Sequence, residues 1–249
     1  MSQLPIDWCG RGGVPTVVTN QYLVLVPGLI CDEELWAYQR AHLSDVADIT
    51  YAPADEADTM RGLADAVLGA SPPRFSIAGF SMGGYVALEV LRQAPGRVER
   101  IALLDTSSRV DTPDKAASRV AAIADCEEDR FGDLLDNFVP QLLHPDRHLD
   151  PLFARVRAMG ERIGPDLFAA RHRAMQTRED SRGLLRGTNI PVRAIVGRSD
   201  VLTSVAEHQE IADLAQRGRL SIVEDCGHMP PLENPAAATA LLRDWLLYD

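Results

Sequence analysis

Residues 75–86 read FSIAGFSMGGYV, an apolar run that delivers Ser81 between two glycines, Gly79-Phe80-Ser81-Met82-Gly83, and then turns apolar again. Phe75 to Phe80 has the look of a buried strand, and SMGGYVALEVLRQAPG that of a helix stopped by Pro95-Gly96. A nucleophilic serine needs an exposed oxygen, a base within reach, and backbone N–H donors aimed at the developing oxyanion. A sharp turn from strand to helix supplies the first and third together, because the helix N-terminus offers free N–H groups and a dipole that favours negative charge. Such a turn crowds the chain on either side, and glycine two residues before and after the serine relieves the crowding. The stretch therefore predicts a nucleophilic Ser81, with the Met82 N–H as a candidate oxyanion donor.

Outward from this turn, apolar runs alternate with amphipathic segments. YLVLVPGL (22–29), FSIAGF (75–80), IALLDTS (101–107), PVRAIVGRSD (191–200) and LSIVED (220–225) read as strands. CDEELWAYQRAHL reads as a helix capped by Asp32, Ser204 to Glu207 spells a capping box, and Asn234-Pro235 opens a terminal helix through Trp245 and Leu246. Alternation of this kind predicts an α/β fold, a mostly parallel twisted sheet with helices on both faces. From Arg109 to Thr188 the alternation stops, leaving helical stretches such as PDKAASRVAAIAD, FGDLLDNFVPQLL, PLFARVRAMG and DLFAARHRAM. The expected organisation is a core of 1–108 and 189–249 and an all-helical lid at 109–188. That block carries 13 Lys or Arg against 14 Asp or Glu, so it offers no patch to a charged polymer. Its apolar residues Leu134, Phe138, Leu142, Phe153, Met159 and Phe168 read mainly as the lid's own packing, with a few turned to an acyl pocket.

Partners for Ser81 follow in chain order. Asp200 ends the strand RAIVGRSD, and His228 lies in the loop CGHMPPLENP after the strand LSIVED. His42, His144, His148, His172 and His208 lie in stretches that read as helix or lid, where a solvated surface imidazole is the ordinary outcome. Only His228 follows a strand terminus, with Gly227 beside it and Pro230-Pro231 stiffening the return. Asp105 also ends a strand and rivals Asp200; Asp200 is preferred because its strand lies next to the one feeding His228.

Composition removes other classes. At 249 residues and 46% hydrophobic content, the chain can bury one large core with an inserted subdomain. A net charge of −11 opposes nucleic acid and anionic membranes. No apolar stretch reaches membrane-spanning length, and MSQLPIDWCGRGG has neither the basic start nor the apolar run of a secretory leader, so a cytoplasmic protein is expected. Cys9, Cys31, Cys126 and Cys226 are widely spaced, without metal-ligand spacing, and read as free thiols.

On GFSMGG, GRSDVLT and CGHMPPLENP, the chain from residue 22 to 249 resembles the α/β-hydrolase superfamily, in its lidded branch of esterases, lactonases, C–C bond hydrolases and perhydrolases. The resemblance implies Ser81 as nucleophile, His228 as base, Asp200 as orienting acid, backbone N–H groups of Leu29 and Met82 as the oxyanion hole, and a lid inserted after the sixth strand. It also implies no metal and no organic cofactor. Where the family usually has His-Gly after its third strand this chain has Pro27-Gly28, and the leading hairpin is shortened. The expected function is a serine hydrolase that cleaves a carboxylic ester of a small apolar acyl substrate through an acyl-enzyme and water. An enol-lactonase or C–C bond hydrolase is the alternative; a small-molecule receptor signalling through its lid is the non-enzymatic one. A homodimer stays open.

Overall fold

The computed structural model describes residues 21–53, 57–128, 130–147 and 151–249. Cys9, His148 and the leading segment lie outside them. Six strands form one sheet: β1 (Tyr22–Val26), β2 (Asp48–Tyr51), β3 (Phe75–Phe80), β4 (Val98–Leu104), β5 (Val192–Gly197) and β6 (Gly218–Val223). Their order is β2-β1-β3-β4-β5-β6, and every neighbouring pair is parallel. Both faces of such a sheet must be covered, which is why β3 and β5 are apolar and buried almost throughout rather than alternating. The edge strand β2, reading DITY, alternates between exposed and half-buried; its polar residues gave no strand signal in the sequence.

Parallel neighbours need crossover helices, and right-handed crossovers decide the face. The chain steps outward from β1 to β2 through α1 (Ala37–Leu43), then back across β1 to β3 through α2 (Met60–Ala70). The reversal puts α2 on the opposite face from α1, where it packs on α3 (Met82–Gln93). Helix α10 (Pro235–Tyr248) joins α1, and Trp36 and Trp245 are fully buried. The expected first helix is split: Asp32 accepts from the Glu34 N–H at 2.9 Å, but it caps a 3-10 turn, Glu33–Trp36, that leads into α1.

Among the described residues, four α-helices lie between β4 and β5: α4 (Pro113–Glu127), α5 (Phe131–Leu142), α6 (Pro151–Gln176) and α7 (Arg182–Gly187). These helices span 113–187 and follow the fourth described strand. The stretches 151–160 and 166–175 share one helix, α6, kinked at Gly164 (φ 73) before Pro165. After β5 come α8 (Val205–Leu214), opened by the expected capping box of Ser204 and Glu207, then β6 and the short α9 (Pro230–Glu233).

Reversal of strand order between β1 and β3 leaves the turns that follow them side by side at the carboxyl end of the sheet, with Val26 beside Gly79. Open parallel sheets hold ligands at this crevice. Several strands stop earlier than their apolar runs suggest, since residues 27–29, 105–107 and 198–200 bend out into loops over it. At Gly197, the last residue of β5, a Cβ would lie 1.7 Å from the Gly227 carbonyl oxygen, so the backbone of the His228 loop packs directly on glycine. Gly197→Ala is expected to cost about 3 kcal/mol in urea unfolding. Gly69→Ala in α2, where nothing lies near the added methyl, should be neutral or slightly stabilising.

Candidate active site

Ser81 sits between β3 and α3 with φ 53 and ψ −116, a left-handed conformation that a non-glycine residue adopts only under constraint. Its N–H donates to the Leu104 carbonyl at 2.8 Å, and its carbonyl accepts from the Thr106 hydroxyl at 2.8 Å and the Gly84 N–H at 2.9 Å. A Cβ at Gly79 would lie 2.2 Å from the Gly83 carbonyl oxygen, and one at Gly83 would lie 2.3 Å from that of Val26. Backbone thus occupies the space a side chain would need, and the turn presents the Ser81 hydroxyl at the cleft.

His228 reaches that hydroxyl. Its Nε2 lies 2.9 Å from Ser81 Oγ, and its Nδ1 lies 2.8 Å from Asp200 Oδ2. With a carboxylate facing Nδ1, that nitrogen carries the proton and donates, leaving Nε2 to accept from the serine. Asp200 also accepts from the Thr203 hydroxyl at 2.5 Å and from the N–H groups of Leu202 and Thr203 at 2.8 and 3.2 Å. Burial, the largest influence, would raise its pKa, but His228, Thr203 and Leu202 together hold its carboxyl below the usual carboxylate range.

The His228 loop has supports that the sequence did not single out. The His228 N–H donates to the Leu142 carbonyl at 3.0 Å. Glu233, buried in α9, accepts from the N–H groups of Met229 at 3.0 Å and His144 at 2.7 Å. Both ties join the loop to the end of α5. In the sequence Glu233 is one acid among 36 Asp and Glu; only its place on a four-residue helix behind His228 sets it apart.

Of the two acids weighed from the sequence, Asp200 is bonded to His228 and Asp105 lies behind it. Asp105 is fully buried at φ 45, accepts from the Gly197 N–H at 2.9 Å, and leaves Oδ2 without a partner of fixed donor type. Burial first, then the neighbouring Asp200 charge, pushes its carboxyl pKa well up. Ligand-type atoms of Asp105, Asp200 and His228 fall within 4.8 Å of one another, the spacing of a metal site. Both imidazole nitrogens are already engaged in hydrogen bonds, so this donor set suits a proton relay better than a cation.

Two histidines expected at the surface are buried instead. His208 accepts from the Thr106 N–H at 2.9 Å through Nε2 and meets the Ser204 carbonyl at 3.0 Å through Nδ1, so it braces the segment that holds Ser81. His172 packs on Phe168 with ring centres 4.5 Å apart and has no partner for either nitrogen among the described residues. Helical spacing carries a sign of this burial: His208 shares a face with Ile211 and Ala212, three and four residues on, and His172 with Phe168, four residues before, and Met175, three residues on.

A cavity of about 670 Å³ opens at Ser81 and His228. The core contributes Leu29, Tyr85 and Leu202, and the helical block contributes Leu134, Phe138, Phe168, His172 and Met175. Lys115, Asp125, Arg130 and Asp133 bring charge to its lining. Of the six apolar residues expected in lid packing, Leu142 and Met159 are buried and Phe153 packs on the core, while Leu134, Phe138 and Phe168 face the cavity. Met82 is the first residue of α3, so its N–H has no acceptor inside the helix. Leu29 borders the same cavity across the crevice.

Residues 21–241 match the sequence profile of the family described as the alpha/beta hydrolase family. The chain belongs to the alpha/beta hydrolase family. It is an esterase-like hydrolase of that family. A pimeloyl-(acyl-carrier protein) methyl ester esterase from Aromatoleum aromaticum is 26% identical over 204 residues, covering 75% of this chain and 79% of its own length. A thermophilic esterase from Thermogutta terrifontis superposes with a TM-score of 0.84 at 26% identity, over 92% of this chain and 90% of its own. The enol-lactonase from Burkholderia xenovorans LB400 shares the fold, with a TM-score of 0.80 at 24% identity over 91% of each chain. Among the described residues, no helix is long and apolar enough to cross a membrane.

His172 yields a pH prediction for this hydrolase. Burial, reinforced by the Arg119 charge, pushes its pKa from 6.5 down to about 3. Between those values the unfolded chain binds a proton that the folded chain refuses, so the stability it contributes is complete above pH about 6.5 and is lost as pH falls toward 3. Melting temperature followed from pH 7 to 4 should therefore fall less steeply in His172→Phe, which keeps a ring against Phe168, than in the parent.

Proposed function

We propose that this chain is a serine hydrolase of carboxylic esters, with Ser81 as nucleophile, His228 as general base and acid, and Asp200 as the acid that orients the imidazole. The observation that carries the reading is the unbroken line of hydrogen bonds, 2.9 Å from Ser81 to His228 and 2.8 Å from His228 to Asp200, opening on a mostly apolar cavity. The proton of the Ser81 hydroxyl passes to His228 Nε2 as Oγ attacks the substrate carbonyl. Negative charge gathers on the carbonyl oxygen and is met by the N–H groups of Leu29 and Met82. The imidazolium, stabilised by Asp200, returns its proton to the departing alcohol, leaving an acyl group on Ser81. Water then gives one proton to His228, attacks the acyl carbon, and releases the acid with Ser81 restored.

The block of α4 to α7 is the lid in this reading, and its apolar side chains receive the acyl chain. A largely apolar cavity of about 670 Å³ suits a small or medium acyl group. Two relatives named as esterases support ester cleavage, and the methyl ester in one relative's name makes methyl esters of linear acids the first compounds to try. A p-nitrophenyl acyl series tests the proposal and should reveal a chain-length optimum. Flat, negligible turnover across activated esters, lactones and methyl esters would contradict it.

Variants separate the roles. Ser81→Ala and His228→Ala should each lower kcat by about 10⁴- to 10⁶-fold with the fold intact. Asp200→Asn should cost on the order of 10⁴-fold, because the amide disturbs the tautomer that presents Nε2 to the serine. Asp105→Asn, close in shape and charge to a protonated Asp105, should stay within about tenfold of the parent. The reverse order of the two asparagine variants would move the acid from Asp200 to Asp105.

A further inference from the structure

Arg171 lies on α6 beyond the Gly164 kink, one position before His172, and is only 4% exposed. Among the described residues no carboxylate lies within ion-pairing distance of it. Its Nη1 instead meets three backbone carbonyls of one turn: Gly28 at 3.3 Å, Leu29 at 2.6 Å and Cys31 at 3.2 Å. That turn also carries the Cys31 N–H to Gly28 carbonyl bond at 3.2 Å. A buried guanidinium is costly to desolvate and is kept where its donors are matched by acceptors in a definite arrangement. Here the acceptors belong to the turn after β1, which bears Leu29.

Peptide geometry gives the arrangement a direction. In a trans peptide the N–H points opposite to the C=O. Holding the Gly28 carbonyl toward Arg171 therefore turns the Leu29 N–H the other way, and hydrogen bonds accepted by that carbonyl polarise the same peptide and strengthen its N–H as a donor. We infer that Arg171 is a positioning residue for the oxyanion site, clamping the Gly28–Cys31 turn from the helical block so that the Leu29 N–H faces the reacting carbonyl. The inference rests on the reading of Ser81 as nucleophile. It makes the inserted helices part of the catalytic frame as well as a cover for the cavity.

The test compares Arg171→Met and Arg171→Lys with the parent in the full chain. Three quantities are measured: kcat and KM on p-nitrophenyl butyrate, inhibition by an alkyl trifluoromethyl ketone that adds to Ser81 and forms an oxyanion, and amide hydrogen exchange. Misaiming one donor should lower kcat of Arg171→Met by about 10- to 100-fold with KM within about threefold. Ketone affinity should fall by a similar factor, exchange should rise across residues 27–33 while α3 stays protected, and Arg171→Lys should recover part of each loss. Unchanged kcat and ketone affinity in Arg171→Met would overturn the inference, as would exchange that rises equally in α3 and the turn. If the parent neither turns over esters nor binds the ketone, the hydrolase reading fails. The exchange data then still judge the clamp, supported by loosening confined to 27–33 and overturned by its absence.

Discussion

The strained backbone of Ser81 is the constraint on which the site depends. Holding a serine at φ 53 costs on the order of 1–3 kcal/mol and lasts only where the surroundings leave no alternative. The surroundings here are mostly main chain: the Leu104 carbonyl at the end of β4 accepts from the Ser81 N–H, the Thr106 hydroxyl donates to the Ser81 carbonyl, and the backbones of the first turn of α3 and the end of β1 fill the space beside Gly79 and Gly83. Because Val26, Leu104 and Thr106 are themselves buried at the ends of β1 and β4, the hydroxyl is positioned from the core. His208, through the Thr106 N–H, extends the brace to α8.

Convergence of the other two side chains follows from strand order. Asp200 and His228 leave adjacent parallel strands, β5 and β6, and Gly197 lets the His228 loop lie against the end of β5 with no side chain between. Environment then divides the labour between the two buried acids. Asp200 has a histidine, a hydroxyl and two N–H groups to stabilise its charge, whereas Asp105 has one N–H and a charged neighbour. Two carboxylates this close cannot both ionise cheaply, and the better-solvated one keeps the charge.

Much of this was legible in the chain because it is local. A strand, a glycine-flanked serine and a helix are contiguous in FSIAGFSMGGYV, and the apolar stretches AIVG and LSIV mark the strands β5 and β6 from which the chain runs on to Asp200 and His228. The missing features depend on contacts between distant segments. DITY is too short and polar to declare itself an edge strand, and the burial of His172 and His208 is set by the partner each helix face meets. Glu233 and Arg171 matter through backbone groups of other segments, Met229 and His144 for one and the turn at 28–31 for the other, and backbone groups leave no mark on composition.

The most direct measurement of the central claim is the intact mass and peptide map of the protein after exposure to an alkyl fluorophosphonate, which phosphonylates serines activated by a neighbouring base. A single adduct on Ser81, formed rapidly by the parent and lost in His228→Ala, is the expected result. Ser81 left unmodified in folded protein, or modified equally fast without His228, would contradict the claim that these side chains form one proton-transfer unit.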